Sequence, residues 1–258
     1  MKESAKDTKR LYQSIGWALH AELQAGHFKV GERLPPERDI AERLSVSRAV
    51  VREALIMLEL MGLIEVRKGS GIYVIKTPST GSNKINETEP SLDLDDVGPF
   101  EMMQARQLLE SNIAEFAAAQ ATKKDIIAMR DALALERQNI EAGSNDHNGD
   151  KLFHLAIAEA TQNSVLVDTI NTLWERREKS LMWKQLHVPI TEQTYRKRWL
   201  LDHENILAAI QLRNPEQAKK AMWQHLENVK NTLMELSEHH DPDFDGYLFE
   251  SAPLRSDP

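Results

Sequence analysis

Cysteine is missing from this chain of 258 residues. Its absence excludes a disulfide framework, a cysteine-rich zinc ribbon and a thiol nucleophile, and it fits a reducing compartment. Long apolar runs are missing as well. No stretch approaches the roughly 18 apolar residues of a membrane span; the densest, Leu55 to Ile64, is interrupted by Glu59. The opening MKESAKDTKRLYQ has no apolar signal core. There is no Gly-rich phosphate loop and no His-Glu-x-x-His metalloprotease motif. Together these absences predict a cytoplasmic protein without a membrane partner, and they offer little to an enzyme.

Positive charge is in deficit overall, with a net charge of -8. The deficit is uneven. Residues 1–78 hold 13 Lys and Arg against 10 Asp and Glu, a net +3, so the other 180 residues carry -11. A basic head on an acidic body points to a DNA-facing segment. At about 100–200 residues per domain the length suits two domains. The sequence pattern divides the chain into a head over 1–76, a linker over 77–98, an all-α domain over 99–240 and an irregular tail over 241–258.

The head opens with helical spacing from Arg10 to Ala25, where Leu11, Ile15, Ala18, Leu19 and Leu23 share a face. Pro35 and Pro36 suit the first turn of a second helix, since no backbone N–H is needed there. Ser47 is a good N-cap for a third, SRAVVREALIMLEL, which Gly62 stops. Then Ile64 and Val66 alternate, as do Ile72 and Val74, around Lys68-Gly69-Ser70-Gly71. Three helices followed by a two-stranded wing make a winged helix-turn-helix. Such a fold aims the N-terminal residues of its third helix into the major groove. Those residues are Ser47, Arg48, Ala49 and Arg52. Arg48 and Arg52 lie four apart, and arginine reads guanine bidentately. Arg38 can reach a phosphate or base at the groove edge, and the wing tip with Lys68 and Gly69 can approach the minor groove. The competing reading is that these arginines are solvated surface, with Arg48 facing Glu53.

The linker TPSTGSNKINETEPSLDLDDVG is polar, acidic and rich in Pro, Gly and Ser. Beyond it, helices are expected over 100–121, 123–142, 147–161, 164–182, 191–211 and 215–237. Asn214-Pro215 makes a short turn, so the last two should pack antiparallel. Phe244, Tyr247, Leu248 and Phe249 of the tail could dock on this bundle.

Four of its residues have metal-ligand spacing. Asp150 and His154 are one turn apart on one helix. His203 lies eleven residues before Asn214 and His225 eleven after it, so the two are level in an antiparallel pair. Three imidazoles and a carboxylate suit a divalent ion, Zn2+ first and Ni2+, Mn2+ or Fe2+ next, with positions left for ligand oxygens. The alternative for each histidine is an ordinary core or surface residue, the reading given to His147, His187, His239 and His240. Met102, Arg106, Leu109, Ile113 and Phe116 have the spacing of a buried seam, which Arg106 interrupts. Arg106 either pairs with Glu110 or anchors an acidic ligand. Asn163 reads as a helix cap, and Trp183, Trp199 and Trp223 as core residues that could line a cavity.

These residues carry a resemblance. LPPERDIAERLSVSRAVVREALIMLELMGLIEVRKGSGIYV resembles the DNA-binding domain of GntR-superfamily regulators. That resemblance implies DNA contacts at Arg38, Ser47, Arg48, Arg52, Lys68 and Gly69, and a homodimer on a pseudo-palindromic operator. FEMMQARQLLESNIAEFAA, DKLFHLAIAEATQNSVL and AMWQH resemble the FCD ligand-binding domain of the FadR branch. Metal-binding members use an Asp-x3-His pair and two later histidines, which map to Asp150, His154, His203 and His225. More narrowly, GPFE, MQARQLLESNIAEFAA, AMWQHLENVK and FDGYLFES resemble hexuronate-pathway repressors of enteric bacteria, the UxuR/ExuR type and closer to UxuR. The implied fold is mainly α, a winged helix-turn-helix joined to an all-α FCD bundle. The implied function is repression relieved by a metal-bound hexuronate such as fructuronate. The runner-up effectors are galacturonate, tagaturonate or a hexonate. Two rival readings are a metal-dependent enzyme, and a regulator whose metal is only structural.

Overall fold

The computed structural model describes residues 10–67, 70–78, 96–144, 146–187 and 193–237. Helices α1 (Leu11–Gln24), α2 (Glu37–Leu44) and α3 (Arg48–Leu60) precede an antiparallel hairpin of β1 (Ile64–Arg67) and β2 (Gly71–Val74). Seven helices follow: α4 (Pro99–Gln120), α5 (Lys123–Glu141), α6 (Asn148–Glu159), α7 (Ser164–Lys179), α8 (Leu181–His187), α9 (Gln193–Gln211) and α10 (Pro215–Ser237). The tail aromatics, His239 and His240, and the wing tip with Lys68 and Gly69 lie outside the described residues.

The head forms as its punctuation requires. Pro36 is the N-cap of α2 rather than part of its first turn, and the helix begins at Glu37. Ser45 adopts φ 54°, which makes the tight break before α3. The Ser47 hydroxyl then accepts from the Val50 N–H at 3.4 Å, the half capping box expected there. Gly62, at φ 67°, ends α3 in a conformation that other residues adopt reluctantly. The hairpin register pairs Ile64 with Val74 and Val66 with Ile72. That places Ile64, Ile72 and Val74 inward on Leu34, Ile40, Val51, Leu55 and Leu58.

In the bundle, Thr122 and Asp125 form a reciprocal capping box at the start of α5. The Asn163 side chain accepts from Val165 and Leu166 at the start of α7, which bears out its reading as a cap. Arg213, at φ 52°, and the Asn214 side chain, which accepts from Gln217 at 3.1 Å, turn α9 back into α10. Two expectations fail. The helix expected over 164–182 stops at Lys179, because Ser180 leaves helical geometry at ψ 123° and its hydroxyl accepts from Trp183 to start α8. The seam on α4 holds at Met102, Arg106 and Ile113, which are buried, and fails at two positions. Leu109 and Phe116 are exposed, whereas Met103, Arg106, Glu110, Ala114 and Ala117 face inward. The buried stripe therefore carries a charged pair rather than a single interrupting arginine.

The two units share a seam. Tyr12, Ile56 and Met57 of the head belong to the bundle's apolar cluster. The Glu53 carboxylate accepts from the Phe100 and Glu101 N–H groups at 2.8 and 2.9 Å, so a residue of α3 caps α4. Glycine at position 98 leaves room for the Glu53 carboxylate, since a Cβ there would sit 2.3 Å from one of its oxygens. The Tyr12 hydroxyl donates to the Asp96 carbonyl at 2.8 Å, and Arg10 pairs with Glu101 at 2.8 Å.

Burial pushes the Glu53 carboxyl up to about 7, against the pull of its two N–H donors; Glu101 raises it further and Arg10 lowers it. A value raised on folding stabilises fully below the ordinary value of 4.5, and that stabilisation is lost as pH rises through about 7. Glu53→Gln keeps an acceptor oxygen and cannot ionise. Its melting temperature should match the unsubstituted chain near pH 5 and exceed it near pH 8. A constant difference across that range would place the titration elsewhere.

Candidate functional site

Three helices bring their polar residues to one point inside the bundle. α6 supplies Asp150 and His154, α9 supplies His203 and α10 supplies His225. The three histidines are almost fully buried, at 2%, 1% and 2% exposure. One ring nitrogen from each lies within 4.8 Å of the others. His203 Nε2 is 3.0 Å from His225 Nε2, as their equal distance from the α9–α10 turn requires. An Asp150 oxygen faces the same space, 3.4 Å from His154 Nε2 and 3.8 Å from His203 Nε2.

A carboxylate stands behind each ring. His154 Nδ1 meets Glu110, His203 Nδ1 meets Glu136 at 2.8 Å, and His225 Nδ1 meets Asp202 at 3.5 Å. A carboxylate on the far nitrogen fixes the tautomer that presents Nε2 as a lone pair, the usual backing of a metal-bound imidazole. Nitrogen and oxygen donors, buried and oriented in this way, fit a divalent first-row ion. Sequence reasoning missed all three backing residues except Glu110, which was noted only as a partner for Arg106. Asp202 is adjacent to His203 in sequence, but nothing in the sequence distinguishes Glu136 from other helical glutamates.

The charges are strongly coupled. Burial alone would raise the Glu110 carboxyl, but Arg106 and His154 outweigh it and hold it at about 2. Burial would likewise lower His154, yet Glu110 and Asp150 raise it above the ordinary histidine value. His225 falls to about 3 through burial and the neighbouring His203. Its imidazole therefore stays neutral, whereas Glu110 and Asp150 favour the charged form of His154.

Beside this cluster lies a narrow cleft that is open to the outside. Arg106, Asp150, Arg177, Trp183, Trp199, His225 and Val229 line it. Arg106 donates to Glu110 at 2.5 Å, the pairing considered for it, and also borders the cleft. Arg177, which the sequence did not single out, stacks between Trp174 and Trp183 at 4.5 and 4.7 Å. Trp223 is not in the cleft; its carbonyl accepts from Gln107. His147 is half-buried rather than a surface residue, and burial followed by Arg177 lowers it to about 4.

The DNA-facing candidates divide. Arg38 is exposed at the start of α2, against Asp39. Ser47 is exposed and Arg48 half-buried at the start of α3. Arg52 is buried, at 4% exposure. Its guanidinium forms a two-pronged contact with Glu37, with bonds of 3.0 and 2.6 Å, and donates to the Met234 carbonyl of α10 at 2.7 Å. Glu53 faces α4, not Arg48.

Residues 11–74 match the family "Bacterial regulatory proteins, gntR family", and residues 101–228 match the FCD domain. The chain is 52% identical over 245 residues to the Uxu operon regulator of Haemophilus influenzae, covering 95% of this chain and 90% of that protein. It is 52% identical over 254 residues to the Uxu operon transcriptional regulator of Escherichia coli K12, covering 98% of each. It is 43% identical over 250 residues to the Exu regulon transcriptional regulator of the same strain, covering 96% of this chain and 94% of that protein.

Arg106→Met should strand Glu110 as a buried charge with one partner fewer. The expected loss is about 3–5 kcal/mol in urea-induced unfolding. A loss below about 1 kcal/mol would mean that His154 alone compensates Glu110.

Proposed function

This chain belongs to the GntR family of bacterial regulators with an FCD domain, within the type that includes the Uxu and Exu regulators, and on that footing we propose that it represses hexuronate catabolism genes until a sugar acid binds inside its bundle. It is a DNA-binding regulator of hexuronate metabolism. The finer reading adds a metal, an effector and a homodimer on a pseudo-palindromic operator in the cytoplasm. The observation that carries it is the convergence of Asp150, His154, His203 and His225 beside a cleft bordered by two arginines.

Those four residues would hold the ion, Zn2+ first among the candidates, and a bound ion supplies a Lewis-acidic point for carboxylate and hydroxyl oxygens. Arg106 and Arg177 border the same cleft and offer guanidinium groups to an acid. The stacking of Arg177 between two indoles holds its plane in place before any ligand arrives. Trp183 and Trp199 wall the cleft with apolar surface, which strengthens charged contacts within it. A hexuronate offers a carboxylate and a row of hydroxyls to this arrangement; galacturonate, tagaturonate or a hexonate offers nearly the same groups.

On DNA, two α3 helices of a dimer would enter half-sites about one helical turn, roughly 34 Å, apart. The effector acts only through its differential affinity for the DNA-matched and unmatched arrangements. An enzymatic reading finds no support in the family, and a sugar acid incubated with the metal-loaded chain should be recovered unchanged.

Thermal unfolding against hexuronates, hexonates, short hydroxy acids and acyl-CoA, with and without chelator, tests the effector. A ligand at 100 times its Kd should add about 2.7 kcal/mol. A shift confined to hexuronates and abolished by chelator is expected; one indifferent to chelator would overturn the metal-anchored reading. Arg48→Ala should lose about 1–3 kcal/mol of discrimination between operator and unrelated duplex. Unchanged discrimination would remove Arg48 from base reading.

A further inference from the structure

The face of α3 that would read DNA is already occupied. Ile56 and Met57 lie in the bundle's apolar cluster, and Ala49 and Val50 pack against the same cluster. Two adjacent side chains then fasten the helix at two different helix ends. Arg52 donates to the Met234 carbonyl in the last turn of α10. Glu53 accepts from Phe100 and Glu101 in the first turn of α4. A helix begins with unsatisfied N–H groups, so the Glu53 acceptor is matched to the start of α4. α4 and α10 pack against each other, with Gln107 of α4 donating to the Trp223 carbonyl and to Glu227 of α10.

The same two helices hold the candidate effector site. Arg106 and Glu110 lie two to three turns into α4, and His225 lies nine residues before Met234 on α10. We propose that Arg52 and Glu53 form a clamp that holds the recognition helix on the bundle, so that the bundle and the major groove compete for one face of α3. This rests on the reading of α3 as the DNA-reading helix. Arg52 is the shared element, because its guanidinium is buried between Glu37 and Met234 and must leave them to reach a base edge. A change in the relative position of α4 and α10 would alter the fit of both ends of the clamp at once. That gives the effector cleft a direct mechanical route to α3, through two rigid helices.

The absence of cysteine makes a clean test possible. The Glu53 side chain reaches the Cβ position of residue 98, so the double variant Glu53→Cys with Gly98→Cys brings two thiols close for closure by oxidation, which loss of free thiol verifies before binding is read. The probe is a duplex selected from a random-sequence pool by the unsubstituted chain. The reduced variant should bind it, and oxidation should weaken binding at least tenfold, reversibly with reductant. Equal affinity in both redox states would overturn the clamp. No selectable duplex for the unsubstituted chain would instead overturn the DNA-reading assignment. Hydrogen exchange of the unsubstituted chain gives a second readout that needs no variant. Duplex binding should speed exchange at residues 230–237 and 99–103 at least tenfold, and undiminished protection at both would show that α3 binds DNA without leaving the bundle.

Discussion

The interior of the bundle depends on one buried carboxylate. Glu110 is 2% exposed and takes Arg106 on one oxygen and His154 on the other. Without those partners it would be an uncompensated charge in an apolar core, and the helix that carries it could not face inward. With them it joins α4 to α6 and sets the orientation of an imidazole. Glu136 and Asp202 repeat the device on His203 and His225. A site of this kind is not a decoration on a finished core. The packing of α4, α6, α9 and α10 is organised around groups that need one another's charge.

The arginines show the same economy in a different medium. Arg177 is desolvated enough that its value falls to about 10, yet it stacks on two indoles and faces Asp150 at 3.6 Å. A guanidinium is weakly hydrated and flat, so it can be buried against aromatic faces where an ammonium could not. Two guanidinium groups therefore stand in the wall of the cleft, one of them held between indoles.

Much of this was legible in the sequence, and the limits have physical causes. Turn chemistry gave the head, because Ser47, Gly62 and the wing glycines act locally. The level placement of His203 and His225 followed from counting outward from Asn214. The break at Ser180 escaped because serine is tolerated in helices, and only a tertiary environment decided that its hydroxyl should cap α8. Two positions on the inward face of α4 were misassigned because apolar spacing favours Leu109 and Phe116, whereas the bundle buries Glu110 beside Arg106. The capture of Arg52 by α10 could not be read at all, since a backbone carbonyl 182 positions away has no sequence signature. The same holds for Arg177, whose neighbours Trp174 and Trp183 lie on two different helices.

The turn at Asn214 acts as a ruler. His203 and His225 meet because each stands eleven residues from it, on arms that run back along one another. Adding or removing one residue on either arm would swing that histidine by about 100° around its helix and carry it out of the cluster. Neither arm has freedom to change length without the other. The hairpin of α9 and α10 is in this sense a calibrated object, and drift in its length is confined to compensating pairs or to the outer ends beyond both histidines.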